Sequence, residues 1–170
     1  SVPSFIPKLS RNPNITKEFI DNNLHYPWNW KLGVSSNRNV DIEFIEKHND
    51  KNWCWLILSK HIKLNQKTLI KYKNKLNFSK LSLNTNLTLE LVLDNDDLYW
   101  NYSNLLLNPI MTVDFFLKYE KTLFNHIYFS INLLSMNPEI TINELNKINI
   151  DKRLNWNWDL VSKYNKNITF

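Results

Sequence analysis

Glycine is all but absent: Gly33 is the only one in 170 residues. Sheet-rich folds with tight hairpins place glycine at positive φ in their turns, so such a fold is disfavoured. A glycine-rich phosphate loop is excluded for the same reason. Asparagine, at 28 of the 170 residues, is expected to supply left-handed and helix-capping positions instead. Cysteine is as scarce. Cys54 alone permits neither an internal disulfide nor a cysteine zinc site, and between Trp53 and Trp55 it reads as a small buried apolar residue.

Long apolar runs are missing too. None approaches the ~18 residues of a membrane span, and no secretory signal is visible, so no membrane insertion is expected. The sequons at Asn14, Asn77, Asn86, Asn101 and Asn167 hint at a glycoprotein. Three of them belong to a recurring phrase, and the lone cysteine argues against secretion. The chain begins at Ser1 without Met and stops as another copy of that phrase begins. The expectation is a fragment, or processed part, of a longer protein.

Hydrophobic residues make up 43% of the chain, with 7 Trp and 9 Phe, enough to bury a core in one domain. Their arrangement is periodic. The phrase "LSRNPNIT" (Leu9 to Thr16) returns as "NTNLT" at Asn84, "NPIMT" at Asn108, "MNPEIT" at Met136 and "NKNIT" at the end. Aligning Ser10, Ser35, Ser59, Ser82, Leu106, Ser135 and Ser162 gives spacings of 25, 24, 23, 24, 29 and 27. Periods in this range mark repeat architectures.

Thr16, Asp41, Asn65, Thr88, Thr112 and Thr141 stand where a helix N-cap belongs. Around each, one residue back and four forward, lie Ile15/Ile20, Val40/Ile45, Leu64/Leu69, Leu87/Val92, Met111/Phe116 and Ile140/Leu145. All are apolar, as a hydrophobic staple requires. A first helix of about eight residues is predicted after each cap. Eleven to fifteen residues past each cap comes an aromatic landmark: Trp28-Asn-Trp30, Trp53-Cys-Trp55, Leu76-Asn-Phe78, Trp100-Asn-Tyr102, Phe124-Asn-His126 and Trp156-Asn-Trp158. Each landmark is predicted to begin a second short helix, with Pro27 in the first turn of one. Two residues apart on a helix, the paired aromatics would point about 200° from each other and serve both neighbours. Trp28, Trp53, Trp100 and Trp156 are thus expected to be buried. The extra four residues between Phe124 and Ser135 predict a longer helix there. The fold class that follows is all-α, an α-solenoid of about six short helix-pair repeats of ~24 residues over residues 1–170. A leucine-rich repeat has a similar period, but its leucine ladder is missing.

"LSRNPNIT…PWNW" resembles the N-P-N-I-T…P-W-x-W…L-S tandem repeats in proteins of giant DNA viruses, the mimivirus relatives. The match is strong from Leu9 to Trp30, fair in the segments at Ser35, Ser82 and Ser135, and poor at Ser59. The Asn, Lys and Ile load also resembles coding from an AT-rich genome. The resemblance implies a viral source, in the virion or the host cytoplasm, and brings no activity with it.

Nothing spells out a reaction. His25, His48, His61 and His126 are scattered without metal-ligand spacing, and Asp94-Asn-Asp96-Asp97 lacks the glycine and distal glutamate of a calcium loop. No Ser or Cys sits in a nucleophile motif, so no catalytic residue, metal or cofactor is expected. Charge is the remaining lead. The chain carries a net +5, and residues 59–80 hold seven lysines without an acid. Stacking of first helices would set Lys67 beside Glu90 and Lys71 beside Asp94. Lys60, Lys63, Lys73, Lys75 and Lys80 would then remain as candidate contacts for a partner or for nucleic acid. The function expected is a non-enzymatic scaffold that binds another protein, viral or host. The alternatives are a virion component packing on itself or the capsid, and nucleic-acid binding through residues 58–80.

Overall fold

The computed structural model describes residues 6–112, 135–138, 140–141, 143, 146 and 156–165. Among them every regular element is helical and none is a strand. In chain order they are α1 (Ile6–Leu9), α2 (Lys17–Asn22), a 3₁₀ turn (Val34–Ser36), α3 (Ile42–Lys47), α4 (Trp55–Leu58), α5 (Gln66–Tyr72), α6 (Phe78–Leu81), α7 (Leu89–Leu93), α8 (Tyr102–Leu106) and α9 (Trp158–Tyr164). The chain forms two compact units, Ser1–Leu87 and Thr88–Phe170, each described by itself.

The helices are short because each is bounded by its own chemistry. Thr16 accepts from the Phe19 N–H, Asp41 from Phe44, Asn65 from Thr68 and Thr88 from Leu91. The four predicted N-caps are therefore caps in fact, each worth about 1 kcal/mol. The staple residues Val40, Ile45, Leu64, Leu69, Leu87 and Val92 are buried. The helices run five to seven residues, somewhat under the expected eight. The helix expected after Thr112 and the longer one after Phe124 lie outside the described residues; of the helix expected after Thr141 only Asn143 and Asn146 are described, and both are helical.

The landmark does not begin a helix as expected. Its first aromatic stands in extended chain, its middle residue is the N-cap and its second aromatic is the first helical residue. Asn77, Asn101 and Asn157 accept from the N–H groups of Lys80, Asn104 and Leu160, and Cys54 fills the same place without a side-chain bond. The two aromatics of a pair thus do not share one helix. Pro27 precedes the landmark in non-helical chain. In the first segment the second helix shrinks to the 3₁₀ turn, and there the lone glycine is needed. A Cβ on Gly33 would lie 2.3 Å from the Ser10 Cβ and 2.7 Å from the Asn29 carbonyl oxygen. Its φ is negative, and no described residue has a positive φ. Asparagine therefore supplies caps and turns, but none of the left-handed positions expected of it.

The first aromatic closes its own segment. The indole N–H of Trp28 donates to the Asn23 carbonyl at 2.9 Å, that of Trp53 to His48 at 2.8 Å and that of Trp100 to Asn95 at 2.7 Å. Each adds a second donor to a carbonyl just past the preceding helix, which already accepts the N–H of Tyr26, Lys51 or Leu98 three residues on. Trp28, Trp100 and Trp156 are buried as expected, whereas Trp53 is only half-buried because a cleft reaches its ring.

Candidate partner-binding surface

Buried serine and asparagine join one segment to the next. The hydroxyls of Ser10, Ser35 and Ser59 accept the backbone N–H of Asn29, Cys54 and Asn77 at 3.0, 2.9 and 2.9 Å. In the second unit Ser135 accepts from Asn157 at 3.3 Å. Ser35 and Ser59 also donate to the carbonyls of Trp30 and Trp55. Each of those two hydroxyls is thereby paired on both sides of a joint.

The asparagine two residues later works in the same way. The Asn37 amide donates to the Ile15 carbonyl at 2.8 Å and Asn84 to Ile62 at 2.8 Å, while Asn137 donates to Met111 at 3.1 Å. Asn165 donates to Ile140. The carbonyl oxygens of Asn37 and Asn84 accept the N–H two residues on, each closing a turn. These side chains are at most 5% exposed, and burying an amide is tolerable only when its bonds are made. Asn165 occupies this place in the last segment, whereas Ser162 is exposed. The alignment on Ser162 is therefore off by one residue; Lys163 is the counterpart of the other serines. At the Ser59 segment histidine replaces the asparagine. The His61 Nε2 lies 2.9 Å from the Ser35 carbonyl, its Nδ1 is buried without a partner, and the turn is lost.

Charge is also used between segments, in a pattern the sequence reading missed. Lys47 Nζ lies 2.8 Å from Asp21 Oδ2 and His48 Nε2 lies 2.6 Å from Asp21 Oδ1. One segment on, Lys71 Nζ and the Tyr72 hydroxyl donate to Glu46 Oε1 at 2.6 and 2.9 Å. Lys71 thus turns back to Glu46. The signal was present in the residue types: an acid (Asp21, Glu46) five past the caps Thr16 and Asp41, and a lysine (Lys47, Lys71) six past the next caps, Asp41 and Asn65. Lys17 likewise pairs with Asp41. Burial pushes the Asp21 carboxyl up, but the bonds from Lys47 and His48 outweigh it and hold the group below the usual range. Asp41 shows the same balance, with Lys17 and the Phe44 N–H as its donors. Bonds from Lys71 and Tyr72 hold Glu46 low, while burial and Glu46 push the Tyr72 phenol up.

The five candidate lysines do not converge on one place. Lys60 is exposed in the turn after α4, Lys73 is exposed at the C-terminal end of α5 and Lys80 is half-buried in the last turn of α6. Lys63 lines a cleft of 330 Å³ together with Asp41, Glu43 and Asn65, so it already has acidic company. Lys75 stands over the Trp55 ring at 5.6 Å and lines a second cleft of 220 Å³. Trp53, Trp55 and Tyr72 wall that second cleft, and Trp55 and Tyr72 stack at 4.7 Å. Among the described residues no group of three or more His, Cys, Asp or Glu could hold a metal ion. No described helix is long and apolar enough to cross a membrane. No family model, no curated protein and no solved structure matches this chain.

Proposed function

We propose that the chain is an α-solenoid of short helix-pair repeats of ~24 residues, a non-enzymatic scaffold of a giant virus that binds another protein. The observation that carries this reading is the recurrence of one joint. The same Ser-to-N–H bond spans 19, 19, 18 and 22 residues at four places, and an Asn-to-carbonyl bond accompanies it at 22 to 26. Joints of this kind suit an array in which each segment contacts its neighbours and the residues between them are free to vary toward a partner. Three of the aromatic landmarks support the reading, since the indole N–H groups of Trp28, Trp53 and Trp100 are occupied within the fold; that of Trp156 is buried without a partner.

The viral source rests on the resemblance of Leu9 to Trp30 to giant-virus repeats. Quantitative mass spectrometry of purified virions tests the assignment. A partner crosslinked to the chain in infected cells, with the chain substoichiometric to capsid protein, is the expected outcome. Capsid-like abundance would favour a structural role instead. A steep fall of DNA or RNA affinity with salt would favour nucleic-acid binding, since phosphate contacts release counterions.

A further inference from the structure

The cleft beside α4 and α5 has a charge that the fold answers with a ring, Lys75 standing over Trp55 at 5.6 Å, and with no carboxylate. Glu46, which bonds Tyr72 of the cleft wall, is occupied by Lys71 and Tyr72. Lys51, on its wall, is paired with Asp50 at 2.7 Å. Lys75, on the same wall, has no carboxylate within ion-pair distance among the described residues, and no acid lines the cleft. Asn49 and Asn52 add amide donors, while Ile45 and Trp53 add apolar surface. Trp55 and Tyr72 stack on each other, which holds the aromatic wall in place and leaves no open sandwich for a nucleobase.

We infer that this cleft receives an acidic side chain of a protein partner, its carboxylate set against the Lys75 ammonium and the amides of Asn49 and Asn52. A glutamate suits it best, because its methylenes can lie against Ile45 and Trp53 while the charge stays at the rim. Lys75 is exposed, so the pair alone would be weak, and flanking neutral donors to the same carboxylate add to it. The inference rests on the scaffold reading for the nature of its partner, and on the cleft itself for the chemistry.

The probes are fluorescein-labelled hexaglutamate, its hexaglutamine twin and a dT₁₀ oligonucleotide, titrated by polarisation at 150 mM salt. Hexaglutamate should bind and hexaglutamine should not. Lys75→Gln should weaken hexaglutamate about fivefold, the scale of one half-exposed ion pair, Lys75→Arg should restore most of that loss, and Lys73→Gln should change it less than twofold. Indole N–H resonances of Trp53 and Trp55 should move on titration. Equal losses from Lys75→Gln and Lys73→Gln, or tighter binding of dT₁₀ with the same Lys75 dependence, would mean diffuse attraction of polyanions and overturn the inference. No hexaglutamate binding overturns it as well, while a partner crosslinked in infected cells would leave the scaffold reading standing. Selective hexaglutamate binding without any crosslinked protein partner would do the reverse.

Discussion

At the scale of single residues, neutral hydrogen bonds carry the joints and charge is secondary. Asn84 shows what one side chain does. Its amide meets the carbonyls of Ser59 and Ile62, and its oxygen meets the Asn86 N–H. Asn84→Ala would leave three backbone groups without a partner at a fully buried position, and each unmade buried bond costs about 1–3 kcal/mol before water enters. We expect a loss of about 3 kcal/mol in urea unfolding, with unchanged slope. His61 is the converse. It reaches the Ser35 carbonyl but closes no turn, and its Nδ1 is buried unpaired. His61→Asn should restore the turn acceptor and raise stability by about 1 kcal/mol, a gain of the size that filling one missing bond provides. A loss of stability on that substitution would show that the imidazole packs better than an amide can bond.

At the scale of elements, the starts of the first helices were legible in the sequence and their partners were not. The caps at Thr16, Asp41, Asn65 and Thr88 could be read because capping is local: side chain and N–H lie three residues apart. The landmark was misjudged for a local reason as well, since a Trp-Asn-Trp triplet fits a helix by spacing, yet Asn in its middle prefers to cap. The Ser and Asn ladder was hidden because its bonds span 18 or more residues, and a polar residue gives no sign in sequence of being buried. Of the five candidate lysines, Lys75 alone could be placed on an aromatic wall, and only once α4 and α5 were side by side. Gly33 illustrates the same limit. Its sequence neighbourhood says nothing of its role, which is close contact with Ser10 and Asn29. Gly33→Ala should therefore destabilise by about 1–3 kcal/mol, as overpacking does, although alanine is the better helix former. Thermal melts of the two proteins decide this, and a stabilised variant would mean that the 3₁₀ turn simply yields.

At the scale of the whole chain, a net charge of +5 is held with Asp21, Asp41, Glu46 and Asp50 engaged in ion pairs, and the first three of these shape the response to acid. Asp21, Asp41 and Glu46 all lie below their ordinary values in the folded chain. Unfolded, such groups take up protons near pH ~4. Between that value and the lower folded one the unfolded chain binds more protons, so stability rises with pH there. Their contribution is complete above the unfolded value and is lost as pH falls through the folded ones. Asp21 should matter most, because it answers both Lys47 and the buried His48. Asp21→Asn should unfold at lower urea than the parent at pH 7, and the gap should narrow steadily from pH 5 to pH 2. Asn84→Ala should run parallel to the parent over the same range, since no proton is exchanged at that joint. Salt separates the two further: 1 M NaCl, with a screening length of about 3 Å, should shrink the Asp21 effect at pH 7 and leave the Asn84 effect intact. An Asp21→Asn curve parallel to the parent at every pH would remove Asp21 from the acid response and leave the neutral Ser and Asn bonds as the whole of the joint.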